Sequence, residues 1–226
     1  MIGLLLLATG EKYQQYIEPL VASAKKYFPP HETLLWSDRL SMLTTRTFIK
    51  SAEGYPNETL MRYHTFLDKE AVLKQYDHLF YCDADMLFVD YVKEEDIVSK
   101  GLTATLHPGY VGKIGTPEIR QISTAYCPNN TAYYCGGFQG GTAKAYLGAA
   151  NLMAGKIDAD AKNGVTAIWH DESHWNALLA NRPPERILTP EYCYPENAGE
   201  YYKNIWRNAG MEIKPKIVAI TKKGPR

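Results

Sequence analysis

Ile2 to Leu7 is a continuous apolar run that closes at Thr9-Gly10. A strand with one solvated face alternates apolar and polar residues, so an unbroken run predicts a strand covered on both faces, at the centre of an α/β sheet. A second run, Phe80-Tyr81-Cys82-Asp83-Ala84-Asp85-Met86-Leu87-Phe88, has the same character except for two carboxylates. A carboxylate is costly to bury unless something positive meets it. Read as one strand, the run alternates faces and points Asp83 and Asp85 the same way. Two convergent oxygen ligands suit Mg²⁺ or Mn²⁺ with the remaining positions left for water and phosphate oxygens, which is how an enzyme grips a nucleotide pyrophosphate. D-x-D also arises as a solvated strand end, and the motif alone leaves both readings open.

The rest of the chain supports an α/β order. Tyr16, Leu20, Ala24 and Tyr27 share one helical face that ends at Pro29-Pro30, and Pro19 inside it predicts a kink or a restart. Strands are predicted over Thr33 to Trp36, Thr44 to Ile49, Tyr76 to Cys82 and Leu102 to Leu106, with His107-Pro108-Gly109-Tyr110 as a turn. Asn57 is a plausible N-cap for a helix reaching Leu67 and on toward Val72. Gly112 to Asn130 has little periodicity. In Tyr134-Cys135-Gly136-Gly137-Phe138-Gln139-Gly140-Gly141 the glycine pairs permit positive φ and close backbone approach, and the plain reading is a bulged hairpin before a helix capped by Thr142. Trp169-His170-Asp171-Glu172-Ser173-His174-Trp175-Asn176 opens a further helix, whose dipole favours acids in its first turn. The His170 to His174 spacing resembles a zinc helix, but Asp171 stands where a metalloprotease motif needs glutamate, so zinc is excluded. Ligands in α/β sheets collect at the carboxyl ends of strands, which makes Thr9-Gly10 and Asp83 neighbours around one crevice.

Composition removes several classes. A chain of 226 residues with 45% hydrophobic content can bury a full core, and its length favours one domain. Lysine plus arginine equals aspartate plus glutamate at 25 each, so no global field steers it toward nucleic acid or an anionic membrane. Cys82, Cys127, Cys135 and Cys193 form no CxxC pair, which fits reduced thiols in a cytoplasm. The apolar start is too short for a membrane span and lacks the basic flank of a signal peptide. The 17 tyrosines and 4 tryptophans suit sugar-stacking platforms as well as ordinary core edges.

The strings Leu106-His107-Pro108-Gly109-Tyr110, Tyr134 to Gly141, and Trp169 to His174 followed by Leu188-Thr189-Pro190-Glu191-Tyr192 resemble glycosyltransferase family six, the family of the histo-blood-group A and B transferases and α-1,3-galactosyltransferase. The resemblance runs from near Leu5 almost to Arg226. It implies a GT-A fold: one Rossmann-like α/β domain over residues 1–226 with a mixed central sheet flanked by helices, residues 1–90 binding nucleotide and 91–226 binding donor sugar and acceptor. It implies a UDP-galactose or UDP-N-acetylgalactosamine donor, a galactose-terminated glycan acceptor, α-1,3 transfer and retention of anomeric configuration. Vertebrate members carry an anchor and stem before this domain. A chain starting at the first strand is expected to be a cytoplasmic, soluble member of bacterial or viral type.

Carried onto matching positions, the resemblance makes Asp83 and Asp85 the metal ligands, with Ala84 between them and Mn²⁺ (or Mg²⁺) as cofactor. Arg62 lies near the donor, Thr9 and Tyr13 at the nucleotide, and Lys222 and Arg226 in a tail that folds over the pyrophosphate and excludes water. Cys135, Gly136 and Gly137 set the donor sugar. Gly137 leaves room for an acetamido group and favours N-acetylgalactosamine, while Cys135 departs from the usual residue and makes mixed donor use credible. His170 and Asp171 match donor-sugar positions. Glu172 matches the carboxylate beside the anomeric carbon, which serves either a covalent or a front-side route. His107, Thr116, Trp169 and Glu172 line the acceptor; Tyr194-Pro195-Glu196 departs from the family's acidic acceptor contact. Three rival readings are a metal-dependent phosphoesterase, a UDP-sugar hydrolase and a glycan-binding module without catalysis.

Overall fold

The computed structural model describes residues 1–221. Strand β1 (Ile2–Leu7) is followed by α1 (Glu11–Tyr27), β2 (His31–Ser37) and β3 (Arg46–Ile49). Three short helices come next, α2 (Asn57–Leu60), α3 (Arg62–Leu67) and α4 (Glu70–Leu73), then β4 (His78–Asp83) and β5 (Met86–Phe88). Beyond α5 (Glu94–Ile97) lie β6 (Leu102–Leu106), β7 (Tyr134–Thr142), α6 (Ala143–Lys162), α7 (His170–Asn181) and β8 (Arg186–Leu188). A 3-10 turn at Pro190–Cys193, β9 (Tyr194–Pro195), α8 (Glu200–Asn208) and β10 (Ile217–Ala219) complete the order. The main sheet runs β3-β2-β1-β4-β7-β6-β8, parallel except for β7. This is the Rossmann-like GT-A architecture, a mixed sheet flanked by helices. No helix among the described residues is long and apolar enough to cross a membrane.

The two apolar runs are continuous because both faces of the sheet are covered. Leu4 and Leu6 of β1, with Phe80 and Cys82 of β4, pack against Ile17, Leu20, Val21 and Ala24 of α1. Leu5, Leu7, Leu79 and Tyr81 point the other way, into a cluster with Tyr63 and Phe66 of α3, Tyr146 of α6 and Trp175 of α7. Strand order reverses between β1 and β4, and their register sets Leu7 beside Asp83. The crevice of a doubly covered sheet opens at such a reversal, outside the carboxyl ends of the strands.

Several expectations are corrected. The helix from Glu11 to Tyr27 runs through Pro19 without restarting. The helix expected from Asn57 is three short pieces, and Asn57 is its first residue, not its cap. Thr142 does cap α6, accepting from the Ala145 amide at 3.2 Å. The glycine-rich stretch is no hairpin but one nine-residue strand, β7, between β4 and β6. Its glycines serve close approach. A methyl on Gly140 would collide with the Leu79 carbonyl oxygen, and one on Gly141, at φ 149°, with the carbonyl of Gly101.

Gly140→Ala therefore has to push β7 away from β4, an overpacking cost of about 2–3 kcal/mol. Urea denaturation should show that loss, whereas Gly148→Ala, at an open site on α6, should not.

Candidate functional site

At the reversal point lies a pocket of about 430 Å³ lined by Thr9, Gly10, Tyr13, Tyr55, Arg62, Asp83, Ala84 and Asp85, among others. Its floor is the end of β1, and the β1–α1 turn is pinned in place by Asp38, which accepts from the Gly10 amide at 3.2 Å and from Gln14 at 2.6 Å. Asp83 ends β4, while Asp85 belongs to the turn before β5. Contrary to the alternation expected of one continuous strand, the two acids are not on one strand, yet both line this pocket because the chain turns between them. The amide of Ile220, just after β10, donates to the Asp85 carbonyl at 2.8 Å and closes that side.

One residue organises the pocket wall. Arg62 is buried at the start of α3, with its guanidinium 4.2 Å over the Tyr81 ring. Its Nη1 donates to the Gly136 carbonyl at 3.0 Å, Nε lies 3.0 Å from Asp171 Oδ2, and Nη2 lies 3.5 Å from Asp83 Oδ1. Burial opposes the charge, but Asp171, Tyr81 and Asp83 more than offset it and hold the Arg62 pKa above its ordinary value. The Tyr81 hydroxyl donates to Asp83 Oδ1 at 2.5 Å. Gln139 adds a second donor to the Gly136 carbonyl at 3.1 Å, and Gln139 in turn accepts from the Tyr63 hydroxyl at 3.2 Å.

Two carboxyl groups meet this network from the first turn of α7. Asp171 is 1% exposed, and burial raises its pKa to about 7 in spite of Arg62. The Arg62 contact is an ion pair too bent for a hydrogen bond, and neither Asp171 oxygen has a hydrogen-bond donor among the described residues. Glu172 accepts from the Gly136 amide at 2.8 Å, and burial again raises its pKa. Gly136 thus presents its N–H to Glu172 and its carbonyl to Arg62. The turn is held by Asn176, whose side chain pairs with both the amide and the carbonyl of Tyr134 at 2.8 Å and donates to the Glu172 carbonyl at 2.9 Å. His170 enters the helix at φ 51°, a left-handed conformation rare outside glycine, and its ring meets Tyr55 edge to face at 5.1 Å.

On the far side of Glu172 is Tyr133, whose hydroxyl neighbours Glu172 and Thr116 without a well-aligned hydrogen bond. The Tyr133 ring packs against His107 and Tyr110. Burial lowers the His107 pKa to about 4, so the ring is neutral, and Nδ1 accepts from the Gly109 amide at 3.1 Å. That fixes the proton on Nε2, a donor for a hydroxyl ligand. Trp169, about half exposed, precedes His170 at the helix mouth.

The structure therefore brings together Thr9, Tyr13, Arg62, Asp83, Ala84 and Asp85 in one pocket, and joins Gly136, Asp171 and Glu172 to it through Arg62. Gly137 turns toward Asp83, Met86 and Cys193, where an added methyl would lie 3.3 Å from Asp83 Oδ2. Cys135 sits in the core cluster on the α1 side of the sheet. Lys222 and Arg226 lie outside the described residues. Tyr133, Gln139 and Asn176 escaped the sequence reading, since each acts on backbone or side-chain groups brought near only by folding. Among the described residues no group of three His, Cys, Asp or Glu is placed to hold a metal alone. Two carboxylates beside an open pocket fit a hard cation whose other ligands come from a phosphate-bearing ligand.

The profile of Glycosyltransferase family 6 matches residues 46–213. Globoside alpha-1,3-N-acetylgalactosaminyltransferase 1 of Mus musculus is 33% identical over 217 residues, covering 86% of this chain and 61% of the relative. Histo-blood group ABO system transferase 1 of Rattus norvegicus is 29% identical over 217 residues, with the same coverage of each. O-antigen biosynthesis glycosyltransferase WbnI of Escherichia coli is 25% identical over 213 residues, covering 88% of this chain and 90% of the relative. The match spans 61% of the length of the mouse and rat relatives.

Removing the cation from a buried pair leaves its partner uncompensated, so Arg62→Met should cost about 3–5 kcal/mol. The loss depends on pH. Asp171 goes from an ordinary 3.8 to about 7 in the fold, so its contribution is most favourable below about 4 and declines as pH rises toward 7. Without Arg62, which lowers the Asp171 pKa, that decline continues to higher pH, and urea denaturation should show a larger penalty at pH 8 than at pH 5.

Proposed function

The chain belongs to glycosyltransferase family 6, and on that premise we propose that it is a retaining, Mn²⁺-dependent transferase. It moves N-acetylgalactosamine, or galactose, from the UDP-sugar to a galactose-terminated acceptor in α-1,3 linkage. The observation that carries the reading is the contact between the two halves of the site. Arg62 joins the Asp83-Ala84-Asp85 pocket to Asp171 and Glu172, so a nucleotide held at the first presents its sugar to the second. Residues 1–90 then bind UDP, and 91–226 bind the sugar and acceptor. The names of the relatives, one an alpha-1,3-N-acetylgalactosaminyltransferase and one a histo-blood group ABO system transferase, support the same direction.

Thr9 and Tyr13 flank the nucleotide end of the pocket. Asp83 and Asp85 would hold the cation, which when bound offsets negative charge growing on the departing diphosphate. Neither Asp171 oxygen has a donor among the described residues, and the two serve the hydroxyls of the donor sugar. Glu172, anchored by the Gly136 amide, places negative charge beside an anomeric carbon that becomes cationic in the transition state, and does so in a buried, water-poor setting where that charge counts most. Neutral His107 and Thr116, with Trp169 at the mouth, orient the acceptor hydroxyl. Gly137 leaves space toward Asp83 that an added methyl narrows, which favours the bulkier N-acetylated donor.

The test is UDP release from UDP-GalNAc, UDP-Gal, UDP-Glc and UDP-GlcNAc, with lactose or 2′-fucosyllactose, in Mn²⁺ or in EDTA. Turnover of the galacto-configured donors that EDTA and Asp85→Asn abolish is expected. Glu172→Gln should lower kcat by roughly 10³-fold or more while UDP affinity stays near the wild-type value. Turnover that survives chelation removes the cation from the account; cleavage without transfer would establish a hydrolase. Because burial raises the Glu172 pKa, the acid limb of kcat/KM should fall above the ordinary glutamate value of 4.5. A limb at or below 4.5 would show that this carboxylate is not the one titrating.

A further inference from the structure

The stretch from Gly112 to Asn130 contains no helix or strand, yet it carries a buried carboxylate. Glu118 is 1% exposed. Its Oε1 accepts from the Arg120 amide and from Arg120 Nε, both at 2.9 Å, and its Oε2 accepts from Arg120 Nη2 at 2.6 Å and from the Ile168 amide at 2.8 Å. Arg120 Nη2 also donates to the Thr166 carbonyl at 2.8 Å. The paired Glu118 and Arg120 side chains therefore grip two points, Ile168 and Thr166, of the segment that leads into Trp169 and His170. These bonds hold the Glu118 pKa down to about 2, so the carboxylate stays charged at any working pH.

The same loop is seated at its other end on the acceptor side of the site. Gly115, at φ 67°, packs so closely that an added methyl would collide with the Tyr133 ring, and Thr116 faces the Tyr133 hydroxyl. A helix entered through a left-handed His170 carries local backbone strain, which persists only where surrounding contacts fix the approach. Ser173 supplies one fixed point, accepting from the Trp169 amide at 3.0 Å. Glu118 and Arg120 supply the others, 46 to 50 residues away in sequence.

We propose that Glu118 and Arg120 are positioning residues that lock the Thr116 loop to the 166–169 segment, so that the acceptor-side groups Thr116 and Trp169 are presented as one unit beside Glu172. Its kinetic consequence rests on the transferase reading; its structural consequence does not. Bidentate recognition is specific to the arginine fork, so glutamine or alanine at either end breaks the lock without adding bulk.

The experiment compares wild type, Glu118→Gln and Arg120→Ala. Hydrogen exchange in peptides covering 112–127 and 165–173 should quicken in both variants, by about tenfold for the loss of one charge-assisted bond. With UDP-GalNAc as donor, the KM for lactose should rise by about tenfold and transfer should fall relative to hydrolysis, while UDP affinity stays within about twofold. Unchanged exchange in either segment overturns the proposal, as does quickened exchange with an unchanged lactose KM. A parallel loss of UDP and lactose affinity would mark a purely structural role and overturn it too. Arg120, half exposed, carries the test if Glu118→Gln fails to fold. Wild-type protein that transfers to no acceptor would sink the transferase reading, and the exchange result would still decide the lock.

Discussion

A guanidinium removed from water is stable only where the surrounding groups replace its hydration, and Arg62 has no slack in that respect. It lies between two carboxylates, a peptide carbonyl and an aromatic face, drawn from the ends of β4, β7 and α7. None of those elements is adjacent to it in sequence. The alternation that buries Leu79 and Tyr81 on the α3 side of the sheet also puts Asp83 there, since side chains two apart on a strand share a face. The packing of the core thus determines that the acid at the end of β4 meets a cation. That contact in turn fixes how far the first turn of α7 stands from the strand ends.

Gly136 is the backbone counterpart of Arg62. Both of its peptide groups are used by side chains, its amide by Glu172 and its carbonyl by Arg62 and Gln139. A side chain at this position would stand between Glu172 and Arg62, 3.6 and 3.8 Å from them. The other glycines of β7 act differently. Gly140 and Gly141 let β7 lie tightly between β4 and β6, and so hold the start of the strand, with Gly136, beside Arg62 and Glu172.

What the sequence made legible follows from how local each signal is. Strands β1 and β6 were read with their observed bounds because an apolar or β-branched run ending in a turn is a short-range signal. The segment after Asn57 was read as one helix because its apolar spacing continues, although the chain breaks at Met61 and near Asp68. The glycine pairs suggested a turn, since composition tells that φ is free and cannot tell whether the freedom is spent on a bend or on a neighbour. The two aspartates were brought to one pocket by an argument that assumed a continuous strand; the fold reaches the same result through a turn. Arg62 was found only through family resemblance. Asn176, Gln139 and Glu118 gave no signal at all, because their partners lie at separations that only the fold closes.

Asp171 and Glu172 show how neighbouring acids acquire different partners. Burial raises both pKa values, so the site tolerates their charges only through specific partners. Asp171 has the Arg62 charge without an aligned hydrogen bond among the described residues, which leaves its oxygens with acceptor capacity to spare. Glu172 has an aligned amide from rigid backbone and no direct ion pair with Arg62 among the described residues, so in the proposed reaction its charge would be drawn on most when a cationic centre forms next to it. A carboxylate already neutralised by a salt bridge would gain little from that centre, because the bridge would have to be weakened first. In the proposed transferase, assigning the arginine to the first acid and the peptide amide to the second would keep ligand binding and transition-state stabilisation on separate groups. Exchanging the partners would, in that proposed reaction, stabilise the resting site and weaken the one interaction that has to grow.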